Sequence, residues 1–156
     1  MPIPTPDQFH AYATIHERIT AATTGLTSAQ LQAIPAEGEW SIQQILIHLP
    51  DSEAVGYERI RRIIAEEHPT LQPYDEDAWA RNLHYHRQDP HLALELFKLL
   101  RQSSAELLHQ LPATTWERTG LHMENGPMSL YTVFQTYLNH GEIHLKQIEG
   151  IKQRLR

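Results

Sequence analysis

The sequence predicts an all-α fold: a four-helix bundle with a long crossover between its second and third helices. Three observations carry this expectation. Four long segments repeat apolar residues with the helical period of about 3.6, so each presents one stripe for burial. Each segment opens on a side chain suited to cap a helix N-terminus. Between them no convincing run of alternating apolar residues marks a strand. Four amphipathic helices joined this way bury their stripes against one another.

The first long helix opens at Thr5-Pro6-Asp7-Gln8, where threonine caps, proline fits the first helical position and glutamine completes a capping box. Phe9, Tyr12, Ala13, His16 and Ile19 share its inner face, and Gly25 is a natural stop. Thr27-Ser28-Ala29-Gln30 forms a second capping box over a turn or two that ends before Pro35, and Ala36-Glu37-Gly38-Glu39 has loop composition. The second long helix starts at Ser41, with Gln44 three residues on, and runs to about His68-Pro69. Its inner stripe is Ile42, Ile45, Leu46, Leu49, Glu53, Gly56, Ile60, Ile63 and Ile64, in which Glu53 is the odd member.

From Thr70 to Gln88 the apolar period weakens, although Asp75 to Arg81 suits a short helix anchored by Trp79. This stretch reads as the crossover, covering one end of the bundle. Asp89-Pro90 starts the third long helix, with Leu92, Leu96, Phe97, Leu100, Leu107 and Leu111 inward and Pro112 as its stop. Gly126-Pro127-Met128-Ser129 precedes the fourth, whose buried stripe is Leu130, Val133, Phe134, Tyr137, Gly141, His144, Leu145, Ile148 and Ile151. No domain boundary, repeat or low-complexity tract is visible, so residues 1–156 read as one domain.

Composition narrows the function. A formal net charge of -6 and the absence of a basic stripe argue against nucleic acid as a partner; Lys152, Arg154 and Arg156 read as helix-end charges. With no cysteine there is no disulfide framework, thiolate nucleophile or sulfur ligand, so a metal would be bound by nitrogen and oxygen. The first residues have neither a basic start nor an apolar run, and no segment approaches the roughly 20 apolar residues of a membrane span. A cytoplasmic location without membrane contact is the expectation.

Three histidines stand out against this background. Four helical residues bring the direction back to within about 40°, so His140 and His144 are stacked neighbours on the apolar side of the last helix. Glu142 between them points to the opposite, solvated side, and Gly141 occupies the position where a zincin helix needs its glutamate, which excludes that reading. His48 lies on the rim of the second long helix's stripe, about 60° from Ile45, and suits a ligand reaching across an interface. Three imidazoles satisfy the ligand count of an open metal site, and zinc, nickel, iron and copper all accept them. With 11 histidines in the chain, a pair four apart is an ordinary occurrence, so spacing alone is a weak signal. Asp51 and Glu53 are the nearest carboxylates for the second imidazole N–H, Glu53 the better placed, with an ion pair to an arginine as its alternative role. His16 reads as a satisfied core histidine and His84, His86, His91 and His122 as exposed loop residues. Pro50 removes the helix bond to Leu46 and predicts a kink or an early break beside His48.

The segment Gly38-Glu39-Trp40-Ser41-Ile42-Gln43-Gln44-Ile45-Leu46-Ile47-His48-Leu49-Pro50-Asp51-Ser52-Glu53 resembles the signature of the DinB/YfiT-like family of metal-dependent enzymes. The likeness continues through Glu58 to Ile64, Asp77-Ala78-Trp79-Ala80, Trp116 to His122 and the closing His140 to Ile148, in the family's order. Pro50 departs from it, standing where a small or apolar helix former is expected. The resemblance implies a four-helix bundle with a long crossover, often dimeric, whose divalent metal is held by His48, His140 and His144, with zinc or nickel favoured and iron a third option. It implies thiol S-transfer, with bacillithiol or mycothiol as the low-molecular-weight thiol, or hydrolysis of a small-molecule substrate; one branch isomerises maleylpyruvate. In such a site the metal lowers the pKa of water or thiol so that it attacks an electrophile, with Glu53 as the candidate catalytic carboxylate. A non-catalytic metal-binding or structural stress-response dimer is the alternative.

Overall fold

The computed structural model describes residues 2–155. Met1, and Arg156, grouped above with Lys152 and Arg154, lie outside the described residues. The long helices are α1 (Pro6–Thr23), α3 (Ile42–Ala65), α5 (Pro90–His109) and α6 (Leu130–Arg154); α2 (Ser28–Gln32) and α4 (Glu76–Asn82) are short. Thr5, Thr27 and Ser41 each cap with a reciprocal glutamine three residues on, at Gln8, Gln30 and Gln44, as the sequence predicts. Asp89 and Ser129 cap α5 and α6.

α1 and α3 each pack against both α5 and α6, so α5 stands opposite α6 across the bundle. Ile15, Ile19, Ile45, Leu49, Phe97, Leu145 and Ile148 fill one half of the core. Tyr12, Ile60, Ile63, Leu108, Trp116, Val133, Phe134 and Tyr137 fill the other. No described helix is long and apolar enough to cross a membrane.

The structure departs from the sequence reading in four places. A small sheet is present: β1 (Thr70–Leu71) pairs parallel with β2 (Thr119–His122), and β2 pairs antiparallel with β3 (Gly126–Ser129). These strands have two to four residues, too short to show a period, and pairing rather than local pattern defines them. α3 ends at Ala65, where its C-cap Glu66 turns extended, a few residues before the expected stop. α3 also runs unbroken through Pro50, which is buried within it, so no break occurs beside His48. On α5 the buried residues are Ala93, Leu94, Phe97, Arg101, Ser104 and Leu108, whereas Leu92 and Leu96 are exposed. The many leucines of this helix allow two phases for its stripe, and packing against α1 and α3 selects the one containing Arg101.

The crossover lies along α3. Tyr85 and Ala80 pack with Ile47 of α3 and Ala93 of α5, flanked by Trp40 and Trp79. Buried Gln43 ties it down, its Nε2 donating to the carbonyls of His86 and Gln88 at 3.0 Å each. The crossover thereby covers the part of α3 that carries His48.

Candidate metal centre

α3 and α6 bring His48, His140 and His144 together at their seam. His48 is wholly buried, its ring 5.1 Å from that of Trp40, while His140 and His144 are half-buried. His140 Nε2 lies 3.0 Å from both His48 Nε2 and His144 Nε2. On its other side α6 packs closely against α1. Gly141, beside His140, faces Ile15 of α1, where a Cβ would come within 2.9 Å of Ile15 Cγ1.

The donor set fits a transition metal. Bonds of about 2.1 Å meeting at angles of about 90–110° separate ligand nitrogens by about 3.0–3.4 Å. His144 Nδ1 contacts Gln147 Oε1 at 2.9 Å, which places its proton on Nδ1 and leaves the Nε2 lone pair facing the other rings. Crowded lone pairs repel unless a cation lies between them. Among the described residues this is the one group of three or more histidine and carboxylate side chains that converges so closely.

Burial sets the protonation of these rings. It pushes His140 down to about 2, reinforced by His144, His48 and Arg101, and His48 down to about 3, reinforced by His144. His144 is lowered by burial too, against the opposing hydrogen bond that its Nδ1 donates to Gln147 Oε1. All three are therefore neutral at pH 7, the form that binds metal.

The carboxylates are placed otherwise than expected for imidazole partners. Glu53 is wholly buried, but Oε1 accepts from Tyr12 Oη at 2.8 Å and Oε2 from Arg101 Nε at 2.6 Å. Asp51 accepts from Tyr85 Oη at 2.6 Å. Nδ1 of His48 and of His140 has no hydrogen-bond partner, so neither carboxylate orients a site imidazole. Glu53 takes the ion-paired role, in a fully buried form. Gln147 is the orienting group the sequence reading missed, although its position three residues after His144 is a helical neighbour spacing.

Other predicted residues fall as follows. His16 is buried and its Nδ1 donates to the Ala13 carbonyl at 3.0 Å, a satisfied core histidine. His84, His86 and His91 are exposed. His122 is buried instead, its Nδ1 accepting from the backbone N–H groups of Glu124 and Asn125 in the β2–β3 turn. Tyr137 packs its ring on Gly56 and 6.3 Å from that of His140, and its hydroxyl accepts from Arg59 Nη1 at 3.3 Å. Burial raises it to about 12, so the phenol keeps its proton.

Fold and site together define a four-helix bundle with a three-imidazole nitrogen centre between two of its helices. The chain belongs to the DinB superfamily, which it matches over residues 11–148. It is 34% identical over 129 residues to a proposed metal-dependent hydrolase of Oceanobacillus iheyensis, covering 83% of this chain and 74% of that one. A proposed metal-dependent hydrolase of Halalkalibacterium halodurans is 29% identical over 136 residues, covering 87% and 79%. Among solved structures, YfiT from Bacillus subtilis, described as a probable metal-dependent hydrolase with an unusual four-helix bundle topology, superposes with a TM-score of 0.91 at 24% identity, over 99% of this chain and 93% of that one. A mycothiol-dependent maleylpyruvate isomerase superposes with a TM-score of 0.69 at 12% identity, over 92% of this chain and 60% of that one.

Proposed function

We propose that this protein is a metal-dependent enzyme in which Nε2 of His48, His140 and His144 holds a divalent transition metal, zinc or nickel before iron. It acts on a small molecule, by hydrolysis or by S-transfer from a low-molecular-weight thiol. The observation that carries the reading is the pair of 3.0 Å contacts that brings three neutral imidazole nitrogens, one wholly buried and two half-buried, to one point. The hydrolase descriptions of the relatives support hydrolysis, and the mycothiol dependence of the isomerase neighbour supports a thiol.

A divalent metal bound there supplies Lewis acidity, which brings the pKa of water or a thiol toward neutrality. The chain's own groups do the rest. Gln147 fixes the tautomer of His144. Tyr137, protonated, packs its ring near that of His140 and accepts from Arg59 through its hydroxyl.

Metal analysis of the purified protein against His144→Ala tests the centre: the parent carries metal and the variant loses it, and the absence of metal from both sinks the reading. Conjugation of monochlorobimane across a panel of low-molecular-weight thiols then tests transfer. A non-catalytic metal-binding dimer is the second reading, and turnover with any substrate excludes it. Homodimerisation fits either reading and is supported by Leu92, Leu96 and Leu99, which line one exposed face of α5 at 69%, 46% and 58% exposure. Light scattering of the eluted protein checks it.

A further inference from the structure

Arg101 of α5 is wholly buried and touches none of the three imidazoles' ring nitrogens by hydrogen bond. Its Nε donates to Glu53 Oε2 of α3 at 2.6 Å, its Nη2 to the Tyr137 carbonyl of α6 at 2.6 Å, and its Nη1 to the Tyr12 carbonyl of α1 at 3.2 Å. The Tyr12 hydroxyl closes the ring by donating to Glu53 Oε1 at 2.8 Å. One guanidinium therefore spans the interior from α5 to the helix opposite and hydrogen-bonds to each of the other three long helices.

The anchor points stand close to the ligands in sequence. Glu53 follows His48 by five residues, about 7.5 Å of helix, and Tyr137 precedes His140 by three, about 4.5 Å. The Tyr137 carbonyl uses its second lone pair for Arg101, because its first serves the helix ladder. The Tyr137 ring is pressed on Gly56 of α3, which leaves no room for a Cβ. Any shift of α6 along or about its axis thus breaks a short bond to a buried charge. A buried ion pair stabilises a fold no better than apolar groups of equal volume; the directional bonds of this one add a fixed spacing.

We infer that Arg101 is a positioning residue for the three-histidine centre: by holding Glu53 of α3 and the Tyr137 carbonyl of α6 at once, it sets the separation of the two helices that carry the imidazoles. The inference rests on the proposed metal site. Glu53 shares the role, acting through Arg101 rather than on an imidazole.

The test is a Co²⁺ titration followed by its visible absorption, with folding checked by circular dichroism and thermal melting. Arg101→Lys keeps the charge but cannot hold carboxylate and carbonyl with the planar fork. Arg101→Met combined with Glu53→Met removes both charges and avoids an unpaired one. Leu108→Ala, two turns away on α5, serves as a control that destabilises the core without removing a hydrogen bond of the network. Both network variants are expected to bind Co²⁺ about 10–100-fold more weakly, with an altered absorption spectrum, while Leu108→Ala keeps the parent's affinity and spectrum. Affinity within twofold of the parent in either folded network variant overturns the inference, as does an equal loss in Leu108→Ala. Failure of the parent itself to bind Co²⁺ overturns the metal site instead, so the two failures are distinct.

Discussion

His48 and His140 are held neutral by burial, at about 3 and about 2, far below an ordinary imidazole. Between those values and about 6.5 the unfolded chain binds protons that the folded one does not, so stability rises with pH across this window. It is complete above pH 6.5 and declines as the pH falls below that, by up to about 1.4 kcal/mol per pH unit for each ring. Urea denaturation of the metal-free protein at pH 7.5 and pH 5 checks this: a loss at pH 5 that shrinks in the His48→Ala, His140→Ala double variant is expected, His144 and His122 supplying the remainder. Gln147 belongs to the same scale. Gln147→Ala frees the Nδ1 of His144 and is expected to weaken Zn²⁺ binding about 10-fold with little effect on melting, because the side chain is exposed. Helical geometry let the sequence put His140 and His144 on one face and His48 on a stripe's rim, but it was the family resemblance that joined the three into one candidate ligand set. The partner of Glu53 was not legible, because Arg101 is 48 residues away and only packing sets them face to face.

Among the elements, α3 and α6 matter most because the site lies in their seam. Gly56 lets the Tyr137 ring lie on α3; a Cβ there would stand 2.5 Å from its Cζ. Gly56→Ala forces the ring outward and is expected to cost about 1–3 kcal/mol in denaturant unfolding, together with weaker metal binding, since Tyr137 shares the helical turn before His140. Unchanged stability and affinity would show that α6 is free to move, which the network of Arg101 forbids. Helix starts were readable because a cap and its glutamine act within four residues. The stripe of α5 was not, since leucines at 92, 94, 96, 99 and 100 satisfy more than one phase and the neighbours choose between them.

For the whole molecule, ligands from α3 and α6 make metal binding a measure of the native bundle. Anything that binds the folded state alone stabilises it by mass action, by about 2.7 kcal/mol at a free concentration 100 times Kd. Zn²⁺ is therefore expected to raise the melting temperature of the parent and not of His144→Ala, and a chelator to reverse the rise. An equal shift in both proteins would place the bound ion elsewhere.

The sequence by itself determined the helices, their caps and the candidates: Thr5, Thr27 and Ser41 act on neighbours three residues on, and His140 and His144 share a face by helical geometry alone. Tertiary structure decided what these could not reach. It continued α3 through Pro50, paired the short strands of β1, β2 and β3, brought His48 to His140 across 92 residues and gave Glu53 to Arg101 instead of to an imidazole. The division has one physical cause: capping and helical periodicity are local, whereas the partner of a buried charge is fixed by which helices pack together.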